Sequence, residues 1–471
     1  MRYFILLLLI VTCCGVSKAQ CNCAENFEFV YTKAKQNYAG WNDKISVNNE
    51  EFVKHTEGQR QKATEETNKN YCFKIIQDWL RYFQDHHTLL YNKKASIDLA
   101  GKSEQEIRDY FSGSEKIKIA ESAISASNGI EGIWQMEGGN YRVAIVKSKT
   151  THRDFAGVVL HADSVYWVPG QIKMELTEIT PEKFSTAFYM RDHSMRLITA
   201  TLDQSRLRME GLNSFIKVSS EQTDVSSTKS YETISLQTEL KKLNASTLYL
   251  RLPTFNHTAK STIDSLIQAN HDLITETPNL ILDVRNNGGG SDVTYAELIQ
   301  YIYTNKIILV NNSIWSSPDN IQKFENILKD PEYPKSGKGY IRNLIKRLKA
   351  NPGSFVKKND NVLRKGTVLP NPKKVVVLIN RGCGSSCEEF VLAARQSTKV
   401  TLMGENTTGV LDYANVHNLD LPCADWGFQY ATSRTNRLPE FPIDNIGIAP
   451  AVKIPSEKNW VEFAVDYLKQ K

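Results

Sequence analysis

The residues best placed to do covalent chemistry lie in Gly382-Cys383-Gly384-Ser385-Ser386-Cys387-Glu388-Glu389-Phe390. A serine hydroxyl attacks a carbonyl only when a base can take its proton and donors can receive the oxyanion that forms. Before this stretch, Lys374-Val375-Val376-Val377-Leu378-Ile379-Asn380 is the continuous apolar run that a strand buried on both faces needs; after it, Phe390 to Gln396 reads as helix. Two glycines and two serines make the turn between them. Glu388 and Glu389 fall in the first helical turn, where the macrodipole favours anions. Ser385 would then stand at the C-terminal edge of a central strand beside the free N–H groups of a helix start. Serine is also a preferred N-cap, so the same residues read equally well as a plain cap.

Two further groups invite a chemical reading. His86 and His87 follow Asp85 and precede Thr88 where a helical pattern breaks into loop, and imidazole is the commonest general base near neutral pH; an adjacent pair on a solvated surface is the other reading. Leu280 to Val284, a strand, runs into Arg285-Asn286-Asn287-Gly288-Gly289-Gly290-Ser291-Asp292, and three glycines let backbone approach a ligand closely. No G-x-G-x-x-G or Gly-Lys-Ser/Thr follows, so this is not a phosphate-binding fingerprint, and no nucleotide is expected.

The elements that must position these groups change character along the 471 residues, a length that suggests two or three domains. Arg2, the apolar stretch Tyr3 to Val11 and Ser17-Lys18-Ala19 stand in signal-peptide order, predicting cleavage after Ala19 and an exported protein, periplasmic or secreted. The apolar stretch is too short for a permanent membrane span. Cys13, Cys14 and Cys21 raise a lipoprotein reading, but Thr12 and Gln20 before them are poor for lipid attachment. From residue 20 to about 126 apolar positions recur at helical spacing, through Phe27, Val30, Tyr31 and Ala34 and again through Phe73, Ile76, Trp79, Leu80 and Phe83. Residues 127–225 read as short alternating strands, among them Tyr141 to Val146, Gly157 to Leu160, Ser185 to Met190 and Leu197 to Leu202: an antiparallel β module for substrate or partner handling, or a purely structural insert. From 226 to 471 the chain is α/β. Within it, residues 323–374 hold 14 Lys/Arg against 4 Asp/Glu and read as a partly helical insertion without sheet, either solvated surface or a lid over the cleft.

Charge and cysteine content exclude several classes. The net charge of +6 becomes +4 without Arg2 and Lys18, with no aromatic-interleaved basic stripe, so nucleic acid is not an expected partner. Six cysteines remain beyond Ala19, in an N-terminal and a C-terminal trio. Cys21-Asn22-Cys23 lacks zinc-ligand spacing, which points to disulfides and no metal. One bridge from Cys21 or Cys23 to Cys72 is expected, and one from Cys423 to Cys387 or Cys383.

Taken together, the strands leading into Asp283-Val-Arg285-Asn-Asn-Gly288-Gly-Gly290 and Ser385-Ser-Cys-Glu388-Glu-Phe390, then Gly404-Glu-Asn-Thr-Thr-Gly409 and Asp444-Asn-Ile-Gly447-Ile-Ala-Pro450, resemble the S41 serine peptidases. That family includes tail-specific C-terminal processing proteases and tricorn-core-like proteases. The motifs occur in family order over about residues 247–471; the usual PDZ module is not evident, and the β module occupies its place. The resemblance implies an α/β catalytic domain with a ClpP/crotonase-like mixed sheet and helices, and a polypeptide substrate cleaved through an acyl-enzyme without cofactor. It implies Ser385 as nucleophile. No lysine stands at Thr408-Gly409-Val410-Leu411, which disfavours the Ser–Lys branch. Asp85-His86-His87 matches the upstream Asp-x-His motif of the tricorn-like branch, making His87 the base, and Asp444, where Glu is commoner, the orienting acid. The oxyanion donors would be the N–H of Ser386 and one from Gly288 or Gly289. A non-catalytic peptide- or small-ligand-binding protein on this fold, and an esterase-type acyl hydrolase, are the alternatives.

Overall fold

The computed structural model describes residues 21–470 apart from 46–48, 94–101, 114, 120–123, 125–128, 138–140, 151–152, 163–164, 192, 194, 210–211, 219–233, 424 and 456–457. The expected signal segment lies outside the described residues.

Helices Cys23–Asn37, Asn49–Glu65 and Lys69–Leu80 open the chain, and the first and last start at Asn22 and Asn68, whose side chains accept the free N–H groups of the first turn. Their apolar stripes bury Phe27, Val30, Ile76, Trp79 and Leu80. The helices do not close a core by themselves. They share one with Tyr413, Trp426, Phe428 and Tyr430, from the hairpin Tyr413–Asp420 and Trp426–Thr435 near the other end of the chain. The strand Leu89–Asn92, which follows the histidine pair, adds antiparallel to Trp426–Thr435.

The disulfides follow this shared core. Cys23 bonds Cys72, as expected, but Cys423 bonds Cys21 across 402 residues. Cys383 and Cys387 are free thiols, fully buried, whose sulfurs lie 3.0 and 4.0 Å from the Val284 carbonyl oxygen. The expected bridge from Cys423 to this pair does not form because the two sets lie in different cores: Cys423 packs with the helices, and Cys383 and Cys387 pack inside the α/β unit.

Eight antiparallel strands, from Gly132–Met136 to Phe215–Val218, form a closed barrel in which the first pairs with the last. Trp134, Met174, Phe184, Phe188 and Phe215 fill it, so it is a packed core with no pore. Its wall docks on the first helical layer: the Arg81 guanidinium donates to Ser185 Oγ at 2.6 Å and Thr199 Oγ1 at 2.9 Å.

The α/β unit is a six-stranded sheet in the order Glu239–Asn244, Thr247–Arg251, Asn279–Asp283, Lys374–Ile379, Val400–Gly404, Val452–Lys453, parallel throughout except for the first pair. Lys374–Ile379 is central. Its side chains alternate, Val375, Val377 and Ile379 packing into one layer and Val376 and Leu378 into the layer closed by Trp460–Gln470. Asp283 pairs with Leu378, so the Gly-rich loop and the Ser385 turn leave the sheet side by side. The basic insertion differs from expectation. Its helices Pro318–Lys329 and Lys335–Lys349 pack together, but Phe355–Val356 and Asn361–Leu363 are short strands paired with Asn312–Trp315 and Ile307–Leu309. Of the described residues, no helix is long and apolar enough to cross a membrane.

Candidate active site

The strand Lys374–Ile379 ends in a turn that carries Ser385 immediately before the helix Ser386–Ala394. An ordinary N-cap has extended backbone, whereas Ser385 sits at φ 52°, ψ −122°. That region disfavours any residue with a Cβ and costs on the order of 1–3 kcal/mol, so the surrounding structure must impose it. Glu388 does much of this. Its fully buried carboxylate accepts from Ser385 N at 3.2 Å, Thr407 Oγ1 at 2.5 Å, Gly409 N at 2.8 Å and Val410 N at 2.9 Å. Burial pushes the Glu388 carboxyl above its ordinary value, and these four hydrogen bonds oppose that shift. The same carboxylate therefore holds both the serine turn and the Gly409 turn.

The Gly-rich loop closes on the serine from the neighbouring strand. Gly384 N donates to Asn287 O at 3.1 Å, and Gly289, at φ 95°, lies so close that an added Cβ would sit 2.5 Å from Gly384 O, 2.8 Å from Ser386 N and 2.9 Å from Ser385 Cβ. Only glycine fits there. The Gly289 N–H itself donates to Asn287 Oδ1 at 2.9 Å and so is not free to receive an oxyanion, which removes it from the expected donors. Gly288 is exposed, with nothing within 4 Å of its Cβ position, and the Ser386 N–H belongs to the first helical residue and has no intrahelical acceptor.

His87 is held from both sides of its loop. Asp85 accepts from His87 N at 2.8 Å and from Thr88 Oγ1 at 2.9 Å, and Gln429 Nε2 donates to His87 O at 3.2 Å. His87 Nδ1 lies 2.7 Å from the Tyr413 carbonyl oxygen. A carbonyl can only accept, so the neutral ring carries its proton on Nδ1 and leaves the Nε2 lone pair as the base. His86 is exposed. The segment from Thr408 to Tyr413 ties the two candidates to one backbone: Thr408 N donates to Cys383 O at 2.8 Å beside the serine, and Tyr413 O holds the imidazole.

Asp444 is placed differently from the expectation. Its Oδ1 accepts from Leu411 N and Asp412 N, each at 2.7 Å, and Asp412 Oδ2 returns the arrangement by accepting from Ile443 N and Asp444 N. Burial, then the charges of Asp85 and Asp412, push the Asp444 carboxyl up to about 8, so near pH 7 it is mostly neutral. No hydrogen bond links Ser385 Oγ, the His87 ring and the Asp444 carboxyl to one another among the described residues; the partner on His87 Nδ1 is a backbone carbonyl in place of the expected acid.

Residues 246–454 match the model of Peptidase family S41. This part of the chain belongs to peptidase family S41. The chain is accordingly a serine-type peptidase. Among solved structures, mature CPAF complexed with lactacystin is similar over 95% of this chain and 97% of its own, at 13% identity and a TM-score of 0.50, which shows a shared fold. The photosystem II D1 C-terminal processing protease is similar over 92% of this chain and 94% of its own, with 14% identity and a TM-score of 0.37. The tricorn protease is similar over 96% of this chain and 37% of its own, with 11% identity and a TM-score of 0.40. No curated protein matches the sequence.

The S41 domain also brings to the serine turn groups that residue patterns did not single out. Asp292, from the end of the Gly-rich loop, meets the hydroxyls of Ser386 and Tyr295, and desolvation by the protein around it pushes its carboxyl up. Glu389 is pushed up to about 7, chiefly by burial, with Arg437 opposing from 3.8 Å. Asp283, where the loop begins, accepts from Arg285 Nη2 at 2.6 Å and Tyr249 OH at 2.8 Å, which fixes the loop at its base. Only the Asp and Arg of that base stood in a recognisable motif; Tyr249 reads as one more strand residue, and Tyr413 acts through its backbone carbonyl, which its residue type does not advertise.

Proposed function

We propose that the chain is an exported serine endopeptidase that cleaves polypeptides through an acyl-enzyme, with Ser385 as nucleophile and His87 as base. The observation that carries this reading is the Ser385 backbone, held in a disfavoured conformation by a buried glutamate at the mouth of two adjacent parallel strands. A binding protein has no use for such a strained serine.

In this mechanism, His87 Nε2 takes the Ser385 proton as Oγ attacks the scissile carbonyl, and the Tyr413 carbonyl stabilises the imidazolium through Nδ1–H. The oxyanion is received by the N–H groups of Ser386 and Gly288. His87 then returns the proton to the leaving amine, and a water deprotonated by the same nitrogen hydrolyses the acyl-enzyme. Asp444 is neutral and organises the turn that presents Tyr413 O. The largely parallel sheet of the S41 domain fits a ClpP/crotonase-like description. Export is supported by the Cys21–Cys423 and Cys23–Cys72 bridges, which persist in oxidising compartments.

A fluorophosphonate bearing a reporter group tests the assignment. It should label the wild type covalently and leave Ser385→Ala unlabelled with an unchanged thermal midpoint. Labelling that survives in Ser385→Ala would overturn the reading.

A further inference from the structure

We propose that Cys383 and Cys387 form a thiol–disulfide switch on the nucleophile turn, which is active while both are thiols and shut when their sulfurs are joined. The pair brackets Gly384-Ser385-Ser386, so a bond between the two would close a small ring around the serine and around the Ser386 N–H. The mechanism above uses neither thiol.

Three observations set the pair apart from two small core side chains. Both sulfurs turn to the same acceptor, 3.0 and 4.0 Å from Val284 O, and the Cys387 thiol has Cys383 as a hydrogen-bond partner. The backbone between them is pinned: Cys383 N donates to Asn380 O at 2.9 Å, Cys387 N donates to Gly384 O at 3.0 Å, and Cys383 O accepts from Thr408 N at 2.8 Å. The sulfurs therefore face one another on one side of a tight turn whose ends cannot drift apart. Finally, the other four cysteines beyond Ala19 are all bridged, and such bridges persist where a disulfide oxidant is at hand. Enclosure is what keeps these two as thiols. Both are fully buried, and burial, then contact with Cys383, pushes the Cys387 thiol above its ordinary value, so it stays protonated and inert while the turn is closed.

The oxidant is a second disulfide, RSSR. When the turn opens, one cysteine thiolate attacks a sulfur of RSSR and expels RS⁻, and the other attacks the mixed disulfide so formed and expels the second RS⁻. Two S–H bonds and the S–S bond of the oxidant break, one S–S bond forms, and the oxidant takes two electrons and both protons to leave as two RSH. Bonded sulfurs stand about 2.05 Å apart, closer than any non-bonded contact, so both must leave their places beside Val284 O and draw the ends of the turn together. Ser385 keeps its disfavoured backbone through Glu388, the residue after Cys387, so pulling on Cys387 moves the serine, its strap and the Ser386 N–H at once. A misplacement of about 1 Å costs on the order of 10²-fold in rate. Strained bridges are the readily reduced ones, which makes the change reversible. The loss of activity rests on Ser385 being the nucleophile, as proposed above; the sulfur chemistry does not.

The test incubates the full chain with oxidised glutathione in sub-denaturing urea, returns it to buffer, and divides it between fluorophosphonate labelling and non-reducing peptide mapping. A Cys383–Cys387 cross-link should appear, acylation of the cross-linked fraction should fall on the order of a hundredfold, and a phosphine reductant should restore it. The double variant Cys383→Ser/Cys387→Ser keeps hydroxyl donors for Val284 O and the other two bridges; it should label within a few-fold of the wild type before and after the same treatment. Should that variant fold poorly, the recovery of wild-type labelling on reduction makes the comparison by itself. A pair that stays reduced or takes up glutathione without cross-linking, cross-linked protein that labels like untreated protein, or a loss that the double variant shares would each overturn the proposal. If the untreated wild type is not labelled at all, the serine assignment falls, and the peptide map alone decides whether the two sulfurs are a redox couple.

Discussion

Asp444→Asn separates two roles that the same residue could play. With the folded carboxyl raised to about 8, the unfolded chain ionises between about pH 4 and pH 7 while the folded one does not. A raised folded-state value means that the stabilising contribution is complete below the unfolded value and is lost as pH climbs through the folded one. By pH 7 the wild type has therefore forfeited at most about 4 kcal/mol. Asparagine keeps the Oδ1 acceptor for Leu411 N and Asp412 N and cannot ionise. The variant should match the wild type near pH 4 and exceed it increasingly toward pH 8, by at least about 1 kcal/mol at pH 7 on the same linkage. Urea unfolding at five pH values from 4 to 9, followed by tryptophan fluorescence, measures this directly. Fluorophosphonate acylation should fall less than tenfold, because Tyr413 O still sets the His87 tautomer; loss of an ionised orienting acid would cost roughly 10³–10⁴. A variant less stable than the wild type at pH 7, or an acylation loss of three orders or more, would refute the neutral carboxyl and restore Asp444 as the triad acid.

His87→Ala should reduce acylation by orders of magnitude while His86→Ala, at an exposed position, leaves it within a few-fold; equal losses in stopped-flow labelling would point to folding damage in the loop. Gly289→Ala places a Cβ 2.5 Å from Gly384 O at a positive φ, so labelling should be abolished and the unfolding midpoint lowered; wild-type labelling would show that the two loops can part. Non-reducing peptide mapping should recover Cys21 with Cys423 and Cys23 with Cys72, leaving Cys383 and Cys387 as thiols alkylated only after denaturation. Cys423→Ser should cost roughly 2–5 kcal/mol, since it opens a very long loop, and a smaller loss would mean that the helical core holds Cys21 in place without the bond.

Residue order alone determined the parts of this protein that depend on local pattern. The apolar run before Ser385, the helix after it and the Gly288-Gly289-Gly290 run placed the two loops at strand ends, because burial on both faces and freedom from a Cβ are written in residue type. The same holds for the helical opening and for the strands of the barrel near Tyr141, Gly157, Ser185 and Leu197, whose period matches their element. The barrel strands Ile172–Thr180 and Arg206–Met209 stand out less because charged residues alternate with their core-facing apolar ones, Met174 and Leu176, Leu207 and Met209, and leave no apolar run. Tertiary structure decided the rest. A cysteine carries no address, so Cys423 could be assigned to Cys21 only once the hairpin was seen against the first helices. Backbone atoms carry no residue signature either, and it is the Tyr413 carbonyl that orients His87 and the Asn287 side chain that takes the Gly289 N–H. The charge state of Asp444 likewise belongs to its surroundings, where burial first, and then the charges of Asp85 and Asp412 brought in from opposite ends of the chain, outweigh its ordinary tendency to ionise.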